Sequence, residues 1–103
     1  MQVVLAEPAE RDLVGIIDYI ALDNPEAAKT VFDAITAALR RLGDFPGMGR
    51  AGRVPGTREL PVANLPYVIV YTAAPEVVTV VAVFHTAMDL RQAIADRDAA
   101  IKG

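Results

Sequence analysis

Tyr67-Val68-Ile69-Val70-Tyr71-Thr72, then Ala73-Ala74-Pro75-Glu76, then Val77-Val78-Thr79-Val80-Val81-Ala82-Val83-Phe84-His85 is the stretch that decides the fold. Both outer runs are dense in β-branched and aromatic residues, and the four residues between them are a turn with a proline, so the two runs read as strands. A connection this short favours an antiparallel hairpin. The second run is apolar almost without interruption, which implies that both of its faces are largely covered. Just upstream, Thr57-Arg58-Glu59-Leu60-Pro61-Val62 reads as a third strand joined through Ala63-Asn64-Leu65-Pro66, and Pro61 places that strand at an edge or at a bulge.

Working outward toward the N-terminus, residues 43–56 hold five glycines with Pro46 and Pro55, a long loop in which neither helix nor regular strand is expected. Before it, Ala28, Val31, Ile35, Ala38, Leu39 and Leu42 share one helix face, with Arg40 and Arg41 in the last turn and Gly43 as the expected residue just past the helix end. Leu13, Ile16, Ile17 and Ile20 form the stripe of an earlier helix, leaving Arg11, Asp12 and Asp18 to face water. Asp23-Asn24-Pro25-Glu26 ends one helix and starts the next, since Asn24 can cap, proline suits the first helical position and Glu26 complements the positive end of the dipole. Two amphipathic helices on so short a turn lie antiparallel. Val3-Val4-Leu5 is a first strand, and Met88 to Ile101 has helical composition with a thin stripe of Leu90, Ile94 and Ile101. The expected architecture is α+β and two-layered: an N-terminal strand, an antiparallel helix hairpin on a mainly antiparallel sheet, and a short C-terminal helix.

With 103 residues the chain is expected to be one domain, residues 1–88 forming its core and 89–103 a C-terminal helix or tail. A content of 53% hydrophobic residues and a mean hydropathy of +0.33 exclude intrinsic disorder. The net charge of −3 argues against general nucleic-acid binding. There is no cysteine and one histidine, His85, so disulfides, thiolate metal sites and multi-histidine zinc clusters are excluded within one chain, and neither a metal nor a cofactor is expected. No apolar run approaches the ~20 residues of a membrane span, and no basic region opens the sequence, so no membrane association and a cytoplasmic location are expected.

Charge is unevenly placed. Residues 1–44 carry a net −4 and residues 68–103 a net −1, whereas residues 45–67 carry +2 from Arg50, Arg53 and Arg58 against Glu59. Guanidinium groups so grouped can hold carboxylates or phosphates bidentately, or pair with Glu59 and the helix acids to keep a loop soluble. His85 could serve as a general acid or base, but a solitary histidine at the end of a strand with no assignable partner reads better as a hydrogen-bonded structural residue. No Gly-x-Ser-x-Gly accompanies it. Gly47-Met48-Gly49-Arg50-Ala51-Gly52 superficially suggests a dinucleotide fingerprint, yet it follows a helix and precedes a strand, the reverse of the required order. Tyr67 and Tyr71 share a strand face with Ile69, where core packing is a commoner use than stacking on bases.

Six stretches in this order resemble the ParE branch of the RelE/ParE toxin superfamily. They are Ala9-Glu10-Arg11-Asp12-Leu13 with Ile16 and Tyr19-Ile20; Asn24-Pro25 with Ala27-Ala28; Pro46-Gly47-Met48-Gly49-Arg50 with Gly52; Gly56-Thr57-Arg58-Glu59-Leu60; Tyr67-Val68-Ile69-Val70-Tyr71; and Val83-Phe84-His85-Thr86-Ala87. The resemblance runs to about Met88. It implies a toxin of a type II toxin–antitoxin system, neutralised by a ParD-like antitoxin and directed at DNA gyrase. RelE-like members of the superfamily are instead ribosome-dependent mRNA endonucleases, and on that alternative Arg58 and His85 stand at the family-like catalytic positions. Three departures weaken the nuclease alternative or bear on potency. Thr86 stands where some of the nucleases carry a tyrosine, no lysine occurs between Lys29 and Lys102, and Met88-Asp89 stands where an arginine often follows. An acidic chain is also poorly steered into ribosomal RNA. A toxin that survives as a complex subunit without target activity is the third reading.

A partner is expected on physical grounds as well. An open sheet edge near Pro61, together with Tyr19, Val31 and Phe32 beside the core stripes, would accept an added strand or an amphipathic helix. Arg50, Arg53 and Arg58 are the residues expected to hold that segment's acids, with Tyr19 and Phe32 as apolar contacts. Sequence-specific DNA reading by the complex is expected of the antitoxin, not of this chain.

Overall fold

In the computed structural model, which describes residues 1–87, the elements run β1 (Gln2–Leu5), α1 (Glu7–Asp23), α2 (Pro25–Asp44), β2 (Arg50–Ala51), β3 (Arg58–Pro61), β4 (Tyr67–Ala73) and β5 (Val77–His85). The C-terminal helix or tail expected over 89–103 lies outside the described residues. The strands form one sheet in the order β1-β5-β4-β3-β2. β1 runs parallel to β5 and every other pair is antiparallel.

The helix hairpin forms as its turn dictates. Asn24 Oδ1 accepts the Ala27 N–H at 3.0 Å, Pro25 opens α2 and Glu26 lies in its first turn. The six-residue stripe of α2, from Ala28 to Leu42, is buried, and α1 contributes Ala9 and Leu13 with Ile16, Ile17 and Ile20 half-buried beside them. Against this layer the sheet presents Leu60, Tyr67, Ile69, Tyr71, Val78, Val80 and Val83. Val68, Val70, Ala82 and Phe84 form a second cluster on the opposite face, with Val54 and Val81 packed on it, so the apolar run of β5 is covered on both faces.

β5 does not alternate evenly. Val70 lies opposite Ala82 but Tyr71 lies opposite Val80, so Val81 is the extra residue of a β-bulge. Val78 and Val80 face the helices before the bulge, and Val83 and His85 face them after it. Without that extra residue Phe84 would point at the helices instead. Pro61 sits where an edge proline should, because β2 pairs only with Arg58 and Glu59, and Leu60–Pro61 extends beyond it.

Three local expectations are corrected. Gly43 is not the residue after α2 but lies within it, and a Cβ there would come 3.0 Å from the Met1 carbonyl oxygen and 3.3 Å from Val3 Cγ2; glycine at this position lets the helix approach β1. The loop that was to contain no strand supplies the two-residue β2. Asp12, assigned by periodicity to the solvent side, turns its carboxylate to the sheet and accepts the Val83 N–H at 3.0 Å. Helical periodicity locates the stripe but not a short polar side chain at its border that can reach a strand beyond the end of β1.

Candidate functional site

The basic segment is a tightly braced loop. Glu59 lies opposite Val70, on the face away from the helices, and is only 1% exposed. Its Oε2 accepts the Arg53 main-chain N–H at 2.9 Å, while its Oε1 lies 3.5 Å from Arg50 Nη2 and 3.7 Å from Arg53 Nε. One buried carboxylate therefore gathers two half-exposed guanidinium groups, the pairing that charge placement left open. On the other face the Tyr71 hydroxyl, buried in the core, donates to the Pro46 carbonyl at 2.8 Å and accepts the Gly49 N–H at 2.9 Å. A Cβ on Gly49 would fall 2.5 Å from that hydroxyl, so only glycine fits. Gly56 adopts φ +85°, the left-handed region open to glycine, where the loop turns into β3.

Arg58 is exposed but braces the loop. Its Nη1 donates to the Gly49 carbonyl at 2.8 Å and reaches the Gly47 carbonyl at 3.5 Å, tying the start of β3 to the loop. His85 caps the other end of the hairpin. Its Nδ1 accepts the Ala87 N–H at 3.0 Å, which makes Nε2 the protonated nitrogen of the neutral ring, and its ring meets Tyr67 edge to face at 5.4 Å. Arg58 pairs with Tyr71 and His85 with Tyr67, on opposite sides of β4. Four residues of strand and two inter-strand spacings therefore lie between them, about 13 Å along the sheet and about 10 Å across it. The backbones of the two residues of the nuclease alternative therefore stand well apart on the sheet.

The expected apolar contacts sit elsewhere. Tyr19, 76% exposed on α1, borders a groove of about 600 Å³ between α1 and the end of β5, whose walls include Ile16, Ile20, Val83 and His85. Phe32 is exposed on α2. The structure thus separates Arg50 and Arg53, grouped around Glu59, from Tyr19, while Arg58, itself exposed, also holds the loop through Nη1. Sequence reasoning did not single out Tyr71 as the loop's anchor, nor Asp12 as the clamp on β5. For Glu59 a signal existed, since it is the only acid in the basic segment. Among the described residues no group of three His, Asp or Glu side chains is placed to hold a metal ion, and no helix is long and apolar enough to cross a membrane.

Residues 3–90 match the family model described as the ParE toxin of the type II toxin–antitoxin system parDE. The chain belongs to the ParE toxin family. A second comparison agrees, since "Putative toxin Y4kP" of Sinorhizobium fredii (strain NBRC 101917 / NGR234) is 42% identical over 69 residues, 67% of this chain and 72% of that protein. In three dimensions the ParE chain is similar to a chain of the solved structure "Chromosomal ParDE TA system from P. aeruginosa", with a TM-score of 0.74 over 82% of this chain and 95% of that one. At 23% identity that likeness speaks for the fold: two helices on a five-stranded mixed sheet with an N-terminal strand. This ParE-type chain is the toxin component of a type II toxin–antitoxin system.

Proposed function

We propose that this ParE-type toxin acts by occupying a surface of DNA gyrase rather than by cleaving RNA, and that a ParD-like antitoxin neutralises it. The observation that carries the reading is the separation of Arg58 from His85 across β4, combined with the engagement of Arg58 by the Gly49 carbonyl. General acid–base cleavage needs its groups within hydrogen-bond reach of one scissile phosphate. Binding has no such requirement, and the braced loop offers half-exposed arginines in fixed positions, which reduces the ordering cost of association. Arg50 and Arg53 supply the contacts to acidic residues of the antitoxin, and the antitoxin supplies the DNA-reading domain.

Expression of the toxin alone in a bacterial host tests the reading. Loss of supercoiling with a DNA-damage response, without codon-positioned mRNA cuts and unchanged by His85→Ala, supports it. Ribosome-dependent cleavage abolished by His85→Ala establishes the endonuclease instead, and the absence of growth arrest would identify a chain that has lost target activity. For the antitoxin contact, Arg50→Glu with Arg53→Glu should weaken the complex and flatten its salt dependence; an unchanged affinity at every salt concentration removes these residues from the interface.

A further inference from the structure

The two edges of the sheet are finished differently. β2 is two residues long, carries the charged Arg50 and is flanked by the glycine- and proline-rich loop, so it offers little for another strand to pair with. β1, at the opposite edge, has none of these devices. Residues 1–6 hold no charged side chain and no proline, and the strand pairs with β5 without a bulge.

The register shows which backbone groups of β1 are left over. The Ala6 N–H donates to the Val80 carbonyl at 2.9 Å, and in a parallel ladder every second residue turns both of its groups to the same neighbour. Gln2, Val4 and Ala6 therefore face β5, while Val3 and Leu5 face outward. The N–H and C=O groups of Val3 and Leu5 have no hydrogen-bond partner among the described residues. Beside them lies a groove of about 610 Å³ between β1 and α2, whose walls include Val3, Leu5, Leu39, Arg40 and Asp44. One base and one acid on the α2 side cancel, so this border of a chain with net charge −3 adds no net repulsion between copies.

The outward groups are complementary to themselves. When two β1 strands meet antiparallel about a two-fold axis at Val4, Val3 stands opposite the partner's Leu5, and Leu5 opposite the partner's Val3. Each of these pairs exchanges two N–H···O bonds, so every outward group of both strands is satisfied. Val4 meets the partner's Val4 on the axis, on the sheet face away from the helices.

We propose that the occupant of this edge is a second copy of the chain, paired β1 to β1 in that register, so that two five-stranded sheets join into one. An antitoxin strand is the other candidate, but the antitoxin contact proposed above uses Arg50 and Arg53 near the β2 edge, which the dimer leaves open. The inference itself rests neither on the antitoxin nor on gyrase. The two basic loops end at the far borders of the joined sheet, about 40 Å apart by the spacing of neighbouring strands, so one particle presents the same surface twice.

Because the chain has no cysteine, a single introduced one reports the contact. A non-hydrogen-bonded antiparallel pair has its Cα atoms about 4.5 Å apart, within the span of a disulfide, whereas a residue two places from the axis lies about 14 Å from its own counterpart. Purified full chain carrying Val4→Cys should form a covalent dimer in air at least about tenfold faster than Gln2→Cys. Without cysteine, sedimentation equilibrium should show the mass rising with concentration from 11.0 kDa toward twice that value. Val4→Lys and Val4→Glu each bring two like charges together on the axis and should each be monomeric, and an equimolar mixture of the two should regain the dimer. The cysteine variants keep the test independent of any unfolding caused by the charges. A mass of one chain at every concentration up to about 1 mM, a dimer that both charge variants retain, or equal cross-linking of the two cysteine variants overturns the inference. So does an antitoxin that abolishes Val4→Cys cross-linking when added first, since the edge would then belong to its strand.

Discussion

The carboxylate of Asp12 on α1 accepts the main-chain N–H of Val83 on β5, at 3.0 Å and across 71 positions of sequence. The bond joins the helix layer to the sheet just past the point where β1 stops pairing with β5 at Val80, so a side chain takes over where backbone partners on that side end. Removing it leaves a part-buried donor without this acceptor. Asp12→Ala should destabilise the fold by about 1–3 kcal/mol, and Asp12→Asn, whose amide oxygen can still accept, by less. Denaturant unfolding checks both; equal losses for the two would mean that the carboxylate's charge, not the hydrogen bond, matters.

Tyr71→Phe removes only the hydroxyl that bridges Pro46 and Gly49. The Gly49 N–H and the Pro46 carbonyl lose their partner beneath the loop, at a cost of about 1–2 kcal/mol. That corresponds to a drop of at least about 4 °C in a domain of this size. Amide exchange at Gly49 should accelerate more than exchange in β4 and β5. Uniform acceleration would indicate a general loss of stability rather than release of the loop.

Glu59 and Arg50 share an ion pair, yet their substitution should have very different effects. Glu59 is 1% exposed and also holds the Arg53 main chain, while Arg50 is half in water at 3.5 Å. Glu59→Ala should cost about 1–3 kcal/mol, whereas Arg50→Ala should cost at most about 1 kcal/mol because solvent screens the pair. Thermal melts of the two variants give the comparison, and similar midpoints would show that the carboxylate is not the loop's hub.

The glycines of the loop separate into those that are required and one that is not. A Cβ at Gly52 would lie 2.1 Å from Thr57 Oγ1 and 2.8 Å from the Thr57 carbonyl oxygen, while one at Gly47 would meet nothing. Gly52→Ala should therefore destabilise by more than about 1 kcal/mol, and Gly47→Ala should stay within about 0.5 kcal/mol of the unsubstituted chain. Soluble yield and denaturant midpoints of the two variants decide it.

Much of the fold was legible because local signals agreed with one another. Asn24-Pro25 fixes the hairpin of helices, the stripe from Ala28 to Leu42 fixes which face is buried, and the spacing of strands and short turns fixes an antiparallel core. The bulge at Val81 was not legible, since a run in which nearly every residue is apolar carries no alternation from which parity can be read. Gly43 was misplaced for a related reason: a glycine near a helix end looks the same whether it terminates the helix or admits a neighbour. Within the site, the basic segment was visible as charge, but the division of its arginines into one exposed strut to the loop carbonyls and two around Glu59 depends on contacts between β2, β3 and the loop that no local pattern encodes.

Gln2 stands in register with Val77, so the first strand of the sheet waits for the fifth. During translation the helix hairpin can fold as it emerges, but the sheet it covers closes only once β5 has left the ribosome. Nascent chains arrested before Val77 lack the strand that links β1 to β4. A cell that makes such fragments makes no assembled sheet, so truncation upstream of β5 leaves only unjoined pieces of the fold.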